Sequence, residues 1–280
     1  MKDIQKILEI NQELYKRYNL TMPILDEFVL GFKWAMAIDT NKKISFALRI
    51  GKEKSLPEYE KLIRFLIGKR LDDCINELLL INDEEVRTIA VVLCNLMSKP
   101  LNTVSLLKDR GIERTEGLNF RYPVEGMKVG LIGYGVYIDF FYNKCKEFHA
   151  FDFRGESQIF SHHIKKDITE VHPKNIFFHL GENAIKHQDI LSEMDIVIMS
   201  GSTLVNKSYL DILSSCKNAK IRGIYGPSGE LCPDYLFDIG YNYIFSMDAK
   251  DSTEYLKYSF APIVDFQTFE VMNLYELKRV

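Results

Sequence analysis

The sequence predicts an α/β protein in two parts, an N-terminal α+β domain followed by a doubly wound parallel sheet. Three observations predict it. Before Pro100, two strand-like runs precede three helix-like runs, the order of an α+β unit. After Lys128, short apolar runs alternate with helical stretches, which implies a parallel sheet with helices on both faces. Three of those apolar runs end in small residues, at Gly133-Tyr134-Gly135, Ser200-Gly201-Ser202-Thr203 and Gly226-Pro227-Ser228-Gly229.

In chain order, Ile4, Ile7, Leu8, Leu14, Tyr15 and Tyr18 have helical spacing across Asp3 to Asn19. Phe28 to Ile38 reads as a strand with Trp34 inside it. Asp39 to Lys43 reads as a turn, and Ile44 to Ile50 as the returning strand of a hairpin. Helices are expected at Glu58 to Ile67, Asp72 to Leu80 and Asp83 to Met97. Asp83 is a natural N-cap for the last of these, with Glu84 and Glu85 in the first turn. Residues 111 to 126 lack periodicity and read as a linker. Strands are then expected at Lys128 to Ile132, Phe148 to Phe151, Asn175 to His179, Asp195 to Met199, Ile221 to Tyr225 and Tyr243 to Phe245. Helices are expected at Tyr137 to Lys144, Ser208 to Cys216 and Asp234 to Ile239. The domain boundaries that follow are 1–110, 111–258 and a tail, 259–280.

Composition narrows the function classes. The 280 residues are 46% hydrophobic and 27% charged, enough for a sizeable core, and the net charge of −3 offers no field for nucleic acid. No run is long and apolar enough to cross a membrane, and the polar N-terminus lacks the apolar core of a signal peptide. The expectation is a cytoplasmic protein. Five cysteines without a C-x-x-C pair suggest neither a zinc knuckle nor a disulfide framework.

The strand ends are the candidate binding residues. Gly133 and Gly135 match the first two glycines of a dinucleotide fingerprint, but the third position is Ile138. Asp152 stands where an acid would bind a ribose hydroxyl. The bland reading is a tight turn with an Asp cap. Ser200-Gly201-Ser202-Thr203 and Gly226-Pro227-Ser228 can present backbone N–H groups to an anion, with Gly201 free to adopt angles closed to other residues. The alternative is plain helix capping by Ser202, Thr203 or Ser228. In a doubly wound sheet all three turns lie at the carboxyl edge, where ligands bind.

At these residues a resemblance enters. Ser200-Gly201-Ser202-Thr203-Leu204-Val205-Asn206, and Gly226-Pro227-Ser228 followed by Pro233, Leu236, Phe237 and Gly240, resemble the signature of DUF364, the heavy-metal chelation family. Gly31 to Ile38 and the helical run to Leu101 resemble its companion domain, DUF4213. The resemblance implies an enolase-N-like N-terminal domain, a Rossmann-like C-terminal domain and a ligand pocket between them. It also implies a role in binding a heavy-metal ion or a metal chelate, with Asn206 beside the serines in the site. It brings no catalytic mechanism. The chain departs from the pattern by extra residues between Asp152 and Asp195 and by the tail. Phe260, Ile263, Val264, Phe266, Phe269, Val271 and Leu274 of the tail call for docking on its own domain or on a second subunit in a homodimer.

All six histidines fall between His149 and His187. Imidazole is the commonest transition-metal ligand, so the cluster invites a metal reading with His162, His163 and His172 as candidates. No H-x-x-x-H pair supports it, and surface turns beside lysines are the plainer reading. Three functions stay open: a protein handling a metal chelate or other small molecule, an enzyme using NAD(P) or S-adenosylmethionine, and a non-catalytic subunit acting through its tail. Asp152, Glu182 and Glu230 are acid–base candidates without fixed geometry. Tyr134, Cys232, Lys33 and Trp34 could touch a ligand, with packing as the alternative.

Overall fold

The structure is a computed structural model that describes residues 1–31, 33–50, 56–249 and 272–280. Helix α1 (Lys2–Arg17) buries Ile4, Ile7, Leu8, Leu14 and Tyr15 along one face, as the spacing demands. Strands β1 (Leu25–Leu30), β2 (Trp34–Asp39) and β3 (Ile44–Leu48) form an antiparallel sheet in that order. The expected strand Phe28 to Ile38 is therefore two strands. The chain reverses at Gly31, whose N–H donates to the Trp34 carbonyl at 2.9 Å, and a Cβ there would lie 3.0 Å from the same oxygen. The following hairpin is as expected: Asp39 Oδ1 accepts from the N–H groups of Asn41 and Lys43.

Helices α2 (Leu56–Leu66), α3 (Leu71–Leu79) and α4 (Glu84–Ser98) follow. Asp83 caps α4, its Oδ1 accepting from Glu85 and Val86 N–H groups. Every residue of α4 from Glu85 to Ser98 is buried, so this helix is the spine of its core. A 3₁₀ turn (Lys99–Asn102) leads to α5 (Val104–Asp109) and β4 (Ile112–Glu116). Strand β4 falls where a linker was expected, because Ile-Glu-Arg-Thr-Glu carries too little apolar character to be read as a strand.

The remaining strands are β5 (Lys128–Ile132), β6 (Glu147–Asp152), β7 (Ser161–Ile164), β8 (Thr169–His172), β9 (Phe177–Leu180), β10 (Ile196–Ser200), β11 (Ile221–Tyr225), β12 (Tyr243–Ala249) and β13 (Met272–Arg279). The helices among them are α6 (Ile138–Phe141), α7 (Glu156–Ile159), α8 (Asn183–Lys186), α9 (Ser202–Val205), α10 (Tyr209–Ser215) and α11 (Pro233–Asp238). Helix α6 is one turn, shorter than the expected Tyr137 to Lys144. Tyr137 and Phe141 are drawn into an aromatic cluster with Phe120 and Phe148, and Asn143 at φ 54° ends the helical path.

Among the described residues, eight strands form one large, mostly parallel sheet in the order β4-β13-β12-β11-β10-β5-β6-β9. Strand β5 pairs in parallel with β6 and β10, and β6 with β9. Taken from β5 onward, the spatial order β9-β6-β5-β10-β11-β12 is the 3-2-1-4-5-6 order of the Rossmann fold, with β4 and β13 added. The α/β class and the N-terminal α+β region are as the sequence predicts. Strand β13 is antiparallel to both β12 and β4 and buries Met272, Tyr275 and Leu277. Of the tail residues singled out by their apolar character, Leu274 lies in β13. Phe260, Ile263, Val264, Phe266, Phe269 and Val271 lie outside the described residues.

Two compact units emerge. The first comprises 1–118, 201–207 and 224–280; the second comprises 119–200 and 208–223. The two signature loops after β10 and β11 thus share a unit with the N-terminal α+β region, while the Gly133 turn belongs to the other.

Candidate functional site

Within the first unit, Gly201 has φ −58° and ψ −16°, ordinary helical angles, so it does not supply the unusual backbone expected of it. Glycine is needed there for another reason. A Cβ at Gly201 would lie 2.7 Å from the Gly229 nitrogen and 3.1 Å from the Ser228 carbonyl carbon and Cβ. The two signature loops are packed backbone to backbone. The Gly201 N–H donates to the Tyr225 carbonyl at 2.7 Å, and Gly226, at φ 95°, donates to Phe245 at 3.1 Å. Thr203, Pro227 and Ser228 are buried, and Ser202 and Asn206 are half-buried at the two ends of α9.

Four polar side chains on α4 and the turn after it grip these loops, and sequence reasoning missed all four. Buried Arg87 donates to the Leu204 carbonyl at 2.7 Å and to that of Val205 at 3.0 Å, while pairing with Asp3. Asn95 Nδ2 donates to Pro227 O at 3.1 Å and to Phe46 O at 3.2 Å. Lys99 Nζ pairs with both Glu230 and Asp248, and Asn102 Nδ2 reaches Leu231 O at 3.5 Å. Positions 95, 99 and 102 follow at i, i+4 and i+7, and the two asparagines hold main-chain carbonyls of residues 227–231 while Lys99 holds the Glu230 carboxylate. The signal was there: Asn, Lys and Asn at i, i+4 and i+7 in a run that is apolar apart from Ser98. From the other side, the Leu48 N–H donates to Ser228 Oγ at 2.9 Å, and Ser45 Oγ donates to Glu230 at 3.3 Å.

Burial pushes the Glu230 carboxyl up to about 8, against the pull of Lys99. Burial also works against the Lys99 ammonium, but Glu230 and Asp248 outweigh it and hold its pKa above the usual value. Trp34 is core, edge-on to Phe46 at 6.4 Å, with the Lys33 ammonium 5.9 Å from its ring centre. The buried Cys232 thiol, 3.3 Å from Asp234, is pushed up to about 12 by burial.

Within the second unit, β5 and β10 are parallel neighbours whose connections leave in opposite directions along the sheet. Their carboxyl ends, followed by Gly133 and closing on Ser200, flank the topological switch point of the Rossmann order. Gly133 turns at φ 83° and donates its N–H to Phe151 O at 2.8 Å. Gly135 accepts from Ile138 at the start of α6. The Tyr134 N–H donates to Asp152 Oδ2 at 2.8 Å, and the Tyr134 ring meets Phe178 edge-on.

Asp152 is heavily engaged. Arg154 gives it a backbone N–H at 2.8 Å and guanidinium contacts at 2.8 and 3.0 Å, and also donates to the Tyr134 carbonyl at 2.6 Å. Burial raises the Asp152 pKa, but Arg154 and the backbone donors outweigh it and hold the carboxyl below its usual value. Arg154 is the missed residue here. Its i+2 spacing from Asp152 put both on one side of the strand end.

The histidines separate into two groups. His162, His163 and His172 lie on the β7–β8 hairpin, where His163 faces Glu170 and His172 Nε2 sits 3.4 Å from Glu170 Oε2. His149, His179 and His187 lie side by side instead, His149 and His179 nearly coplanar with ring centres 5.3 Å apart, and His187 tilted by 46° at 5.0 Å from His179. Among the described residues no group of three or more His, Cys, Asp or Glu side chains is placed to hold a metal ion. Glu182 is exposed beside Lys186.

Comparison with known proteins agrees with this architecture. A crystal structure of a DUF364 protein of unknown function from Pyrococcus horikoshii superposes with a TM-score of 0.69 at 16% identity, covering 99% of each chain. A second, from Desulfitobacterium hafniense, gives 0.66 at 16% identity over 98% of each chain. An uncharacterized protein of Methanocaldococcus jannaschii is 34% identical over 73 residues, a match spanning 25% of this chain and 28% of that relative's length. The family model for DUF364, described as "Putative heavy-metal chelation", matches residues 120–259, which contain both signature loops and the switch point, and the chain therefore belongs to the DUF364 family.

Proposed function

We propose that the chain handles heavy metal in chelated form. It binds a small anionic or chelating molecule at the carboxyl edge of the Rossmann-ordered strands. The observation that carries this reading is the strand order, whose switch point, where α/β sheets bind ligands, falls between β5 and β10 beside the Gly133 turn. Arg154, with its side chain 44% exposed, supplies a cation at that edge. The ligand, rather than a cage of side chains, supplies most of the metal's donors. In the same reading residues 1–110 are the DUF4213-like, enolase-N-like companion.

Native mass spectrometry with elemental analysis of the purified protein tests the reading. A co-purifying small molecule, with or without its metal, is the expected result. Arg154→Ala should weaken its retention about tenfold, the equivalent of one charge-assisted contact. Binding unaffected by Arg154→Ala, or a ligand seated away from Gly133 and Ser200, would count against the site.

A second reading, an enzyme using NAD(P) or S-adenosylmethionine, draws on the same strand order and on Asp152 at the end of β6. Asp152 already accepts from Tyr134 and Arg154, so a ribose diol would have to displace the guanidinium. Titration with NAD(H), NADP(H) and S-adenosylmethionine decides, and submicromolar binding of any one would replace the chelate reading.

A further inference from the structure

A hydrogen-bonded chain runs across one face of the second unit's sheet, through side chains that the function above does not use. Glu147 and His149 of β6 alternate onto the same side of their strand, and β9 brings His179 alongside. Glu147 Oε1 lies 2.7 Å from His149 Nε2, and His149 Nδ1 lies 3.0 Å from His179 Nε2. A carboxylate only accepts, so Nε2 of His149 carries a proton. In neutral His149 the other nitrogen, Nδ1, is then an acceptor, and the proton between the rings belongs to Nε2 of His179. This leaves Nδ1 of His179 as a bare lone pair. Phe177 and Phe151 stack on the two rings at 4.8 and 4.5 Å and fix their planes. The partner behind His179 is thus His149, itself held by Glu147, a relay one imidazole longer than the carboxylate–histidine pair that orients metal-ligating histidines.

Beside His179 stands exposed His187, with ring centres 5.0 Å apart and the planes tilted by 46°. Two imidazoles bound to one ion through bonds of about 2.0–2.1 Å bring their ring centres to roughly 4.5–5.5 Å. We propose that His179 and His187 together take one divalent transition-metal ion of the borderline class, such as Zn²⁺ or Ni²⁺. The remaining coordination positions stay open to water or to a chelating molecule. Glu147 and His149 are positioning residues, because they reach the ion only through His179.

This inference stands apart from the ligand reading, since its probe is the bare ion and the Gly133, Asp152 and Arg154 residues stay intact. The full chain is titrated with Zn²⁺ and Ni²⁺ by calorimetry. One ion per chain is expected, and His187→Ala and His179→Ala should each weaken binding at least tenfold. Glu147→Ala should weaken it by about tenfold, the lower end of the effect of a lost ligand partner, because it acts through His149. It should also shift the imidazole ¹⁵N resonances of His179 away from the Nδ1-bare tautomer, which a merely structural carboxylate would not do. His163→Ala, on the hairpin, is the control and should change nothing. The proposal is overturned if the wild type binds no ion, if His187→Ala binds as the wild type does, or if His163→Ala abolishes binding and so places the ion on the hairpin.

Discussion

At the scale of single residues, the signature loops show a glycine required by close packing and not by its own backbone angles. Gly201 suggested a backbone needing freedom, yet its angles are helical and its constraint comes from Gly229, 28 positions along the chain. No local pattern encodes such a contact. Gly201→Ala should therefore destabilise through overpacking, by about 1–3 kcal/mol. Urea denaturation followed by Trp34 fluorescence measures it, and an unchanged midpoint would mean that the loops separate easily. Glu230 was legible only as an acid. Its partners Lys99 and Ser45 come from elsewhere in the chain. Its folded-state pKa, about 8, is raised above its ordinary carboxyl value. A raised pKa contributes stability that is full below the unfolded value and lost as pH rises through the folded one. Stability should thus fall with rising pH between roughly 4.5 and 8, and Glu230→Gln should flatten that slope. Denaturation midpoints across that range, equally steep in the variant and the wild type, would remove Glu230 as the cause.

At the scale of elements, strands were legible in proportion to their burial. β5 and β11 appear with the boundaries read from sequence, each closed at its carboxyl end by a glycine turn, Gly133 and Gly226. β7 is exposed along its whole length and β4 is only partly buried, so neither shows an apolar run, and their sequences read as loop. The tail strand is the opposite case: apolar character announced it, but nothing local said that it would lie between β12 and β4. Met272, Tyr275 and Leu277 each withdraw from water, worth roughly 1.5–3 kcal/mol apiece. Together they rival the total stability of an ordinary domain, about 5–15 kcal/mol. Removing residues 272–280 should therefore abolish the cooperative melt of the first unit, because β12 and β4 also lose their hydrogen-bonded neighbour. Scanning calorimetry checks this, and a truncated chain that melts like the full one would show that β13 is dispensable.

At the scale of the whole molecule, the division at residue 110 read from the sequence and the compact units follow different logics. Sequence reading cuts a chain where patterns change, whereas compactness follows contacts, and the first unit gathers three separate segments. The difference can be tested by expressing residues 1–110 alone. Such a fragment keeps α4 with its polar stripe but loses what the stripe holds. Arg87 would lose the carbonyls of Leu204 and Val205, and Asn95 those of Pro227 and Ser228. Lys99 would lose both its carboxylates, and Arg110 would lose Asp234. Each buried polar group left without a partner costs about 1–3 kcal/mol, more where it is charged. Arg87 keeps Asp3, Asn95 keeps the Phe46 carbonyl and Arg110 keeps the Leu101 carbonyl, but Lys99 loses every partner named for it, and the apolar face around the stripe loses its cover, more than a piece of this size can offset from its own core. The fragment should therefore show a poorly dispersed amide spectrum, no cooperative urea transition, and red-shifted emission from Trp34, the chain's single tryptophan. If it instead gives sharp, dispersed resonances and a blue-shifted Trp34, the N-terminal region folds by itself. The stripe on α4 would then be a surface evolved to receive the loops, not a core that requires them.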